Sequence, residues 1–351
     1  MLKMLLSEMN DPDDMKIRFL WAVENQEYEE CQYFLVTRGI DVNSRSAQSM
    51  TALMLAGNQG HLNICQLLVE HGAEVDAVDK DGWTAMMWAG IRHETIHIVK
   101  YLIEQGASVN HRNNRGRTCL SSAAASYKMD RELLELLLAH GADINTRDVF
   151  GCTAIMGAAN CEYLSGSGKI TERLAMLLEY GADISLRDKK GNTALHYATR
   201  RGFDKIVDFI LENGGDINAQ NYRGETALIV SMHPDMKNRH RYVDKSKNDN
   251  LTKHLIAAGA DVDLVDHQGK TALIHSLQLE KYEVAKKLIE AGADVNVVDD
   301  EDHSTYIYAA MKHNFELCSL LLLLRDKSVQ LSQRSWKKLI CLASEPMETN
   351  E

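Results

Sequence analysis

The two residues best placed to bind a metal ion are His61 and Cys65, which lie four positions apart. In an α-helix that spacing puts both side chains on one face, and imidazole and thiolate are both ligands of zinc. Cys65 also belongs to the apolar positions of its segment, where a buried cysteine acts as a small core residue. Nothing in the sequence supplies the remaining ligands, so we expect neither a metal site nor a cofactor.

Common catalytic motifs are missing from the sequence. It contains no GxGxxG after a predicted strand, no GxxxxGK[ST], no HExxH and no GxSxG, the patterns of dinucleotide, phosphate, zinc-protease and serine-hydrolase sites. Gly166 and Gly168 flank a predicted loop rather than a strand-to-helix turn, so they do not indicate a phosphate site. The sequence therefore predicts that the protein is not an enzyme.

Composition and charge restrict the class of partner. Lys and Arg total 39 against 50 Asp and Glu, which gives a net charge of −11 and argues against general affinity for nucleic acid or anionic membrane. Seven cysteines without a CxxC pair fit a reducing compartment. The start, Met1–Asn10, lacks the features of a secretory signal, and the longest apolar run, Leu320–Leu324, is too short to span a bilayer. We expect a monomer in the cytoplasm, with the nucleus as the alternative.

One threonine-based pattern recurs along the chain. The threonine is followed two positions later by Leu, Met or Ile, and five positions later by Ala or Ser. Its hydroxyl can accept a backbone N–H at the start of a helix, and the small residue allows neighbouring helices to approach closely. The anchors are Thr51, Thr84, Thr118, Thr153, Thr193, Thr226, Thr271 and Thr305, with spacings of 33, 34, 35, 40, 33, 45 and 34 residues.

The clearest copy of this unit begins at Asp188 and continues through Ala198. Gly191 suits a turn position with φ > 0, and Thr193 can then start the first helix. A second amphipathic helix is predicted over Asp204–Glu212, ended by Asn213-Gly214-Gly215. Each period thus contains one glycine turn and two short apolar helices, which predicts a stacked helical array.

A fixed period near 33 residues with this pattern resembles the ankyrin repeat. The closing phrase Gly-Ala-Asp-Ile/Val-Asn, as at Gly141–Asn145 and Gly292–Asn296, agrees with that resemblance. It covers nearly the whole chain and implies an all-α ankyrin-repeat solenoid of about nine helix-turn-helix units with short β-hairpin turns. The expected divisions are an N-terminal segment 1–14, an array 15–325 and a C-terminal capping helix with tail 326–351. The units of the array are about 15–47, 48–80, 81–114, 115–149, 150–189, 190–222, 223–267, 268–300 and 301–325.

The chain departs from the family pattern at several positions. The usual Thr-Pro-Leu-His has Ala in place of Pro in six units, and the histidine is retained only as His196. Ala is the best helix former, so we interpret the change as drift within the fold. Inserted residues are expected to form loops at Ser165–Gly168 and Met232–Asn250. In the last unit Thr305 is taken as the anchor, which puts His303 where the glycine is expected, and the capping helix is expected at about Ser332–Ala343.

The resemblance also indicates where a partner would bind. In this family partners contact residues around the turn glycine and just after the first helix of each pair, positions that pack nothing. On this chain those positions are rich in Arg, Lys and aromatic residues, which implies a protein partner with an acidic or phosphorylated segment on the concave face. The turns of the last unit, Asp299–Asp302, have the opposite sign. The assigned residues are Trp83, Ile91, Arg92, Arg115, Arg117, Phe150, Lys189, Lys190, Arg200, Arg201, Tyr222 and Arg223.

Other functions compete with this scaffold or adaptor role. Trp83 in Asp81–Thr84 and the segment Ala272–Ser276 look similar to the ankyrin part of the 2-5A-dependent ribonuclease, which implies a small-ligand, nucleotide-like sensor. The aromatic residue that completes the site in that family corresponds to Cys152 here. Arg334–Cys341 resembles the start of a SOCS box, which would make the protein a substrate-recognition adaptor of a ubiquitin ligase. A microbial effector is also compatible with the repeats, and an enzyme is the least favoured class.

Overall fold

A computed structural model describes residues 11–92, 94–126, 129–161, 167–233, 245–312 and 314–324. Within these ranges it contains 18 α-helices and one π-helical turn, Tyr33–Thr37, and its only β-structure is two isolated bridges. This confirms the predicted all-α repeat fold. The helices are α1 (Pro12–Glu24), α2 (Tyr28–Gln32), α3 (Ala52–Gln59), α4 (Leu62–Glu70), α5 (Ala85–Gly90), α6 (Ile96–Glu104), α7 (Cys119–Ala125), α8 (Arg131–Ala139), α9 (Ala154–Ala159), α10 (Ser167–Glu179), α11 (Ala194–Arg201), α12 (Asp204–Glu212), α13 (Ala227–Met232), α14 (Lys245–Ala257), α15 (Ala272–Gln278), α16 (Tyr282–Glu290), α17 (Thr305–Met311) and α18 (Phe315–Leu324).

The chain divides into two compact units, Met1–Asp183 and Ile184–Glu351. Helices α1–α10 belong to the first unit and helices α11–α18 to the second. In both units the odd-numbered helices, here called the inner helices, follow the hairpin turns from α3 onward. The inner-helix alanines Ala89, Ala158 and Ala198 are fully buried, as the repeat pattern predicts for positions of close helix packing.

Threonine starts most of the inner helices. Seven of the eight predicted anchors directly precede a helix: Thr51, Thr84, Thr118, Thr153, Thr193, Thr226 and Thr271. Five of them accept a backbone N–H with the side-chain oxygen: Thr51, Thr84, Thr118, Thr226 and Thr271. This bond pairs an N–H that the helix itself leaves without a partner.

The register predicted for the last unit is wrong by one residue. Ser304, not Thr305, precedes α17, and its hydroxyl accepts a backbone N–H at 3.4 Å. Thr305 lies inside the helix and its hydroxyl donates to the carbonyl oxygen of Val295. The glycine position is therefore occupied by Asp302, with φ 61°, and not by His303. Serine caps a helix as well as threonine does, and Asp is among the residues that tolerate this backbone conformation.

Each hairpin turn from Asp79 onward is built around one Asp or Asn side chain, and Ser46 takes that place in the first turn. In the third repeat Asp79 Oδ1 accepts the backbone N–H groups of Asp81 and Trp83, both at 2.9 Å. Its Oδ2 accepts the indole N–H of Trp88 on the inner helix at 3.0 Å. The turn acid is therefore buried and its hydrogen-bonding capacity is used inside the repeat. The same pair of backbone bonds recurs at Asn113, Asp148, Asp188, Asn221, Asp266 and Asp299.

The closing phrases of six repeats bond to the repeat that follows. Asn145 donates from Nδ2 to the carbonyl oxygen of Gly181 at 3.0 Å, and its Oδ1 accepts the N–H of Asp183 at 2.9 Å. These bonds give the last residue of the phrase a direct role in stacking. Equivalent acceptors for a backbone N–H of the following repeat are Asn43, Asp76, Asn110, Asn218 and Asp263.

Two predicted loops are shorter than expected. Helix α10 already begins at Ser167, so only part of Ser165–Gly168 can be loop, and α14 begins at Lys245, so Lys245–Asn250 is helical. The polar composition of these segments suggested loops, but polar residues are also tolerated on the exposed face of a helix. The predicted capping helix Ser332–Ala343 and residues 234–244 lie outside the described residues.

Gly215 gives a stability test of the repeat packing. It replaces the alanine that follows the helix-ending glycine in six other closing phrases, at Ala73, Ala107, Ala142, Ala182, Ala260 and Ala293. A Cβ added at Gly215 would lie 2.5 Å from Ile210 Cγ2 and 2.8 Å from the carbonyl oxygen of Ile210. Leu occupies the Ile210 position in the other repeats, as at Leu177 and Leu288. We expect Gly215→Ala to cost about 1–3 kcal/mol through overpacking, and Ile210→Leu combined with Gly215→Ala to recover most of the loss. Urea unfolding of the parent, the two single variants and the double variant measures these free energies. Equal losses in Gly215→Ala and in the double variant would contradict the expectation.

Candidate partner-binding surface

Hairpin turns place several of the predicted site residues side by side. In the first unit the N–H of Val149 donates to the carbonyl oxygen of Arg115 at 2.9 Å, and in the second the N–H of Tyr222 donates to that of Lys190 at 2.8 Å. Each bond joins the tip of one turn to the tip of the next. The residues at these tips are exposed.

In the first unit the most accessible predicted residues are Arg115 and Phe150. Arg115 is exposed, and the Phe150 ring is 60% exposed although it is apolar. Arg117 is half-buried because its Nε lies 3.6 Å from Asp148 Oδ2. The turns thus place the exposed Arg115 beside the exposed Phe150 ring. Arg117 is less available to a partner because it pairs with Asp148.

Three other predicted residues of the first unit are more embedded than expected. Trp83 is half-buried and its ring packs against Trp88, with centroids 5.0 Å apart. Arg92 is exposed, but its Nε donates to Asn58 Oδ1 at 2.8 Å. Ile91 ends α5 and is half-buried. The expectation that these positions pack nothing is wrong for Trp83 and Ile91, because aromatic and aliphatic side chains here extend the core.

The second unit carries the more open group of predicted residues. Lys189, Lys190 and Arg223 are exposed at two adjacent turn tips, and the Tyr222 ring is 64% exposed. That ring lies against Gly191, since a Cβ added there would be 2.8 Å from Tyr222 Cδ1. The glycine therefore lets the ring rest on the neighbouring turn while its other face stays in solvent.

Arg200 and Arg201 end α11 and are both half-buried. The Nη1 atom of Arg201 is enclosed by protein, so the expectation that both arginines pack nothing is wrong. Long arginine stems often pack along a helix surface while part of the head group stays accessible. Substitutions at Arg201 would therefore change folding as well as binding.

Two histidines near this surface differ sharply in environment. His196 is fully buried, and burial lowers its pKa; its Nε2 pairs with the carbonyl oxygen of Glu225 at 3.0 Å. His233 is exposed at the end of α13 and bonds to the ring of His275. Sequence reasoning missed His233, although it follows its anchor threonine by seven residues, as Ile91 and Arg200 follow theirs.

His61 and Cys65 have different environments, since Cys65 lies in the core and His61 is only half-buried. Cys65 is fully buried, and burial raises the pKa of its thiol to about 12, which disfavours the thiolate that metals bind. His61 Nε2 pairs with the carbonyl oxygen of Glu24 at 3.1 Å. No group of three or more potential metal ligands occurs in the part of the chain that the structure describes. Nor, in that same part, is any helix both long and apolar enough to cross a bilayer.

The sequence matches the family described as Ankyrin repeats (3 copies) over residues 19–113, 89–183, 155–236 and 240–333. These ranges cover most of the chain, and their repeat structure agrees with the helix pairs in the residues that the structure describes. The chain belongs to the ankyrin-repeat family. Ankyrin repeats generally mediate protein–protein interactions, so we expect another protein as the partner.

Several curated proteins resemble parts of this ankyrin-repeat chain. Mouse Ankyrin repeat and SAM domain-containing protein 6 is 41% identical over 105 residues, 30% of this chain and 12% of that protein. Mouse B-cell lymphoma 3 protein homolog is 32% identical over 120 residues, 34% of this chain and 26% of that protein. Palmitoyltransferase AKR1 of Saccharomyces cerevisiae is 29% identical over 90 residues, 25% of this chain and 12% of that protein. The chain spans only a minor part of each relative, and one relative is named as an enzyme.

Proposed function

We propose that this ankyrin-repeat protein is a non-enzymatic scaffold or adaptor that binds an acidic or phosphorylated segment of another protein. The binding residues are the exposed cations and aromatic rings of the turn tips, together with the accessible parts of the inner-helix ends. Carboxylate and phosphate share the chemistry that this surface recognises, because both accept charge-assisted hydrogen bonds from Arg and Lys.

One observation carries the proposal: in these turns the acidic side chains are buried and the basic side chains are exposed. The turn acids Asp148 and Asp188 are buried, and each accepts two backbone N–H groups. In each unit the exposed tips of two adjacent turns include no acid: Asn114, Arg115, Val149 and Phe150 in the first unit, and Lys189, Lys190, Tyr222 and Arg223 in the second. Such a separation is unexpected for solvated turns in a protein with net charge −11.

The exposed cations are also available to a partner. Arg115, Lys189, Lys190 and Arg223 form no ion pair or side-chain hydrogen bond with a described residue. Tyr222 and Phe150 add exposed rings beside them, and Tyr and Arg are enriched among the residues that dominate binding energy at interfaces. The tips therefore offer both charge and contact area, which a purely solubilising surface does not need.

The proposal is tested with the full chain and a panel of peptides. Each acidic peptide is made in three forms: with Asp and Glu, with phosphoserine replacing part of the acids, and with Asn and Gln as uncharged controls. We expect the two anionic forms to bind at least about tenfold more tightly than the amide form, and to weaken as salt rises. Fluorescence anisotropy measures the affinities, and equal binding of the amide form would reject the proposal.

A further inference from the structure

A hydrogen-bonded row of three side chains crosses the seventh and eighth repeats. Asp266 Oδ2 lies 2.8 Å from His275 Nε2, and His275 Nδ1 lies 3.2 Å from His233 Nε2. Asp266 and His275 are buried, whereas His233 is exposed at the end of α13. The two imidazole rings meet edge to face with centroids 5.0 Å apart. The row therefore leads from a buried carboxylate to an imidazole at the surface.

The partners of Asp266 fix the direction of its hydrogen bond with His275. Its Oδ1 accepts the backbone N–H groups of Gln268 and Lys270, at 2.8 and 3.0 Å, as the other turn acids do. Burial by itself would raise the pKa of Asp266, but these bonds and His275 hold it below its usual value. An ionised carboxylate only accepts, so His275 Nε2 must donate to it. In a neutral His275 ring Nδ1 is then an acceptor, and His233 Nε2 must donate to it.

This arrangement leaves Nδ1 as the nitrogen of His233 that faces no described partner. In the neutral ring Nδ1 carries a lone pair and would repel a partner carboxylate. In the protonated ring Nδ1 carries a hydrogen and a share of positive charge, so it can donate to that carboxylate. Protonation therefore changes the kind of hydrogen bond that His233 offers as well as its charge.

We propose that His233 is an acid-sensitive contact of the partner-binding surface, which donates Nδ1–H to a partner carboxylate and strengthens binding as pH falls. This inference rests on the proposed function and adds a specificity-determining residue to the same surface. His233 directly follows α13, and Arg200 and Arg201 are the last two residues of α11 in the preceding repeat. The two places are adjacent because α11 packs against α13, and His196 Nε2 on α11 pairs with the carbonyl oxygen of Glu225, two residues before α13, at 3.0 Å.

The surroundings of His233 set the direction of the pH dependence. The residue as a whole is exposed, but its ring is partly desolvated where it meets His275, and this desolvation lowers the pKa of His233 most. The charges of His275 and Lys281 lower it further, while Glu225 and Asp266 oppose them. Lys281 is itself paired with Asp249 at 2.8 Å. With its pKa below the usual 6.5, His233 is neutral at pH 7.5 and gains its proton only under acid conditions. A bound carboxylate favours the protonated ring, so binding raises the pKa of His233 and affinity increases with acidity.

The test measures the affinity of the full chain for a Glu-rich peptide between pH 7.5 and 5.5 at constant ionic strength. Glutamate side chains stay ionised in this range, so the peptide itself does not titrate. The parent is expected to gain about fivefold in affinity at pH 5.5, the scale of one exposed charge pair. His233→Gln keeps a polar planar group without the titration, and it should lose most of that gain. His140→Gln replaces an exposed histidine of the first unit and should behave as the parent.

The outcomes separate this inference from the proposed function. Absence of peptide binding at both pH values rejects the proposed function, and the inference with it. Binding at pH 7.5 whose acid-dependent gain persists in His233→Gln rejects the inference alone. A His233 ring whose C–H NMR signals do not titrate between pH 7.5 and 5.5 while the peptide is bound would also overturn it.

Discussion

A Gly191→Ala variant is expected to lose about 2–5 kcal/mol of folding free energy, more than a single methyl group normally costs. Gly191 has φ 78°, a conformation that an L-residue adopts at a cost of about 1–2 kcal/mol. Its added Cβ would also lie 2.6 Å from the backbone nitrogen of Tyr222. Relief of that contact would displace the N–H that bonds to Lys190 and separate two stacked turns.

A matched glycine isolates the contribution of the close contact. Gly214 has φ 88°, but a Cβ added there would meet no atom within 4 Å. Gly214→Ala should therefore carry only the cost of the backbone conformation, about 1–2 kcal/mol. Urea denaturation followed by circular dichroism compares the two variants. Equal losses at Gly191 and Gly214 would mean that the turns of the sixth and seventh repeats are not stacked as described.

The sequence was sufficient to predict the repeat fold because its signals are local. Thr193, Gly191 and the apolar positions of Asp204–Glu212 each act within a few residues, and α12 has the predicted bounds. The last repeat shows the limit of this reasoning. A serine directly precedes the threonine there, and only the backbone path of Asp302 decides which hydroxyl caps the helix.

The depth of the charges could not be predicted from the sequence. Asp188 and Lys190 are two residues apart, and their spacing alone suggests that one charge dilutes the other. In the structure Asp188 turns inward and accepts the N–H of Lys190, so the two side chains separate. Tyr197, nine residues later, donates to the second oxygen of Asp188 at 2.7 Å. The recurrence of an Asp with a Trp, Tyr or His nine residues later was the available signal for this burial.

The site residues were predicted with mixed accuracy for a similar reason. Lys189, Lys190, Tyr222 and Arg223 are exposed because turn tips project from the stack, whatever their neighbours are. Residues at the ends of inner helices contact the adjacent repeat, and their exposure depends on that repeat. The half-buried state of Arg201 follows from this packing, which sequence spacing does not report.

Reversal of two turn-tip charges is expected to remove partner binding without loss of stability. Lys190→Glu combined with Arg223→Glu replaces two exposed cations that have no ion pair among the described residues. An anionic segment would then meet like charges where it now meets cations, which should lower affinity about 50-fold or more. The folding free energy should change by no more than about 0.5 kcal/mol, because exposed side chains without partners contribute little to folding.

A second double variant controls for the overall charge of the protein. Lys205→Glu combined with Lys253→Glu makes the same change in net charge, but it lies on α12 and α14, away from the turn tips. If attraction depended only on net charge, both double variants would weaken binding equally. If the turn tips bind the partner, the second variant should stay within about threefold of the parent, since distant surface charges are screened by salt.

The most direct test of the partner-binding surface is therefore the affinity of these two double variants for the acidic peptide at physiological salt. The proposed function predicts that binding is lost in Lys190→Glu/Arg223→Glu and retained in Lys205→Glu/Lys253→Glu, with both proteins unfolding like the parent. Retained binding in the turn-tip variant, or equal loss in the two variants, would contradict the assignment of the turn tips as the binding surface.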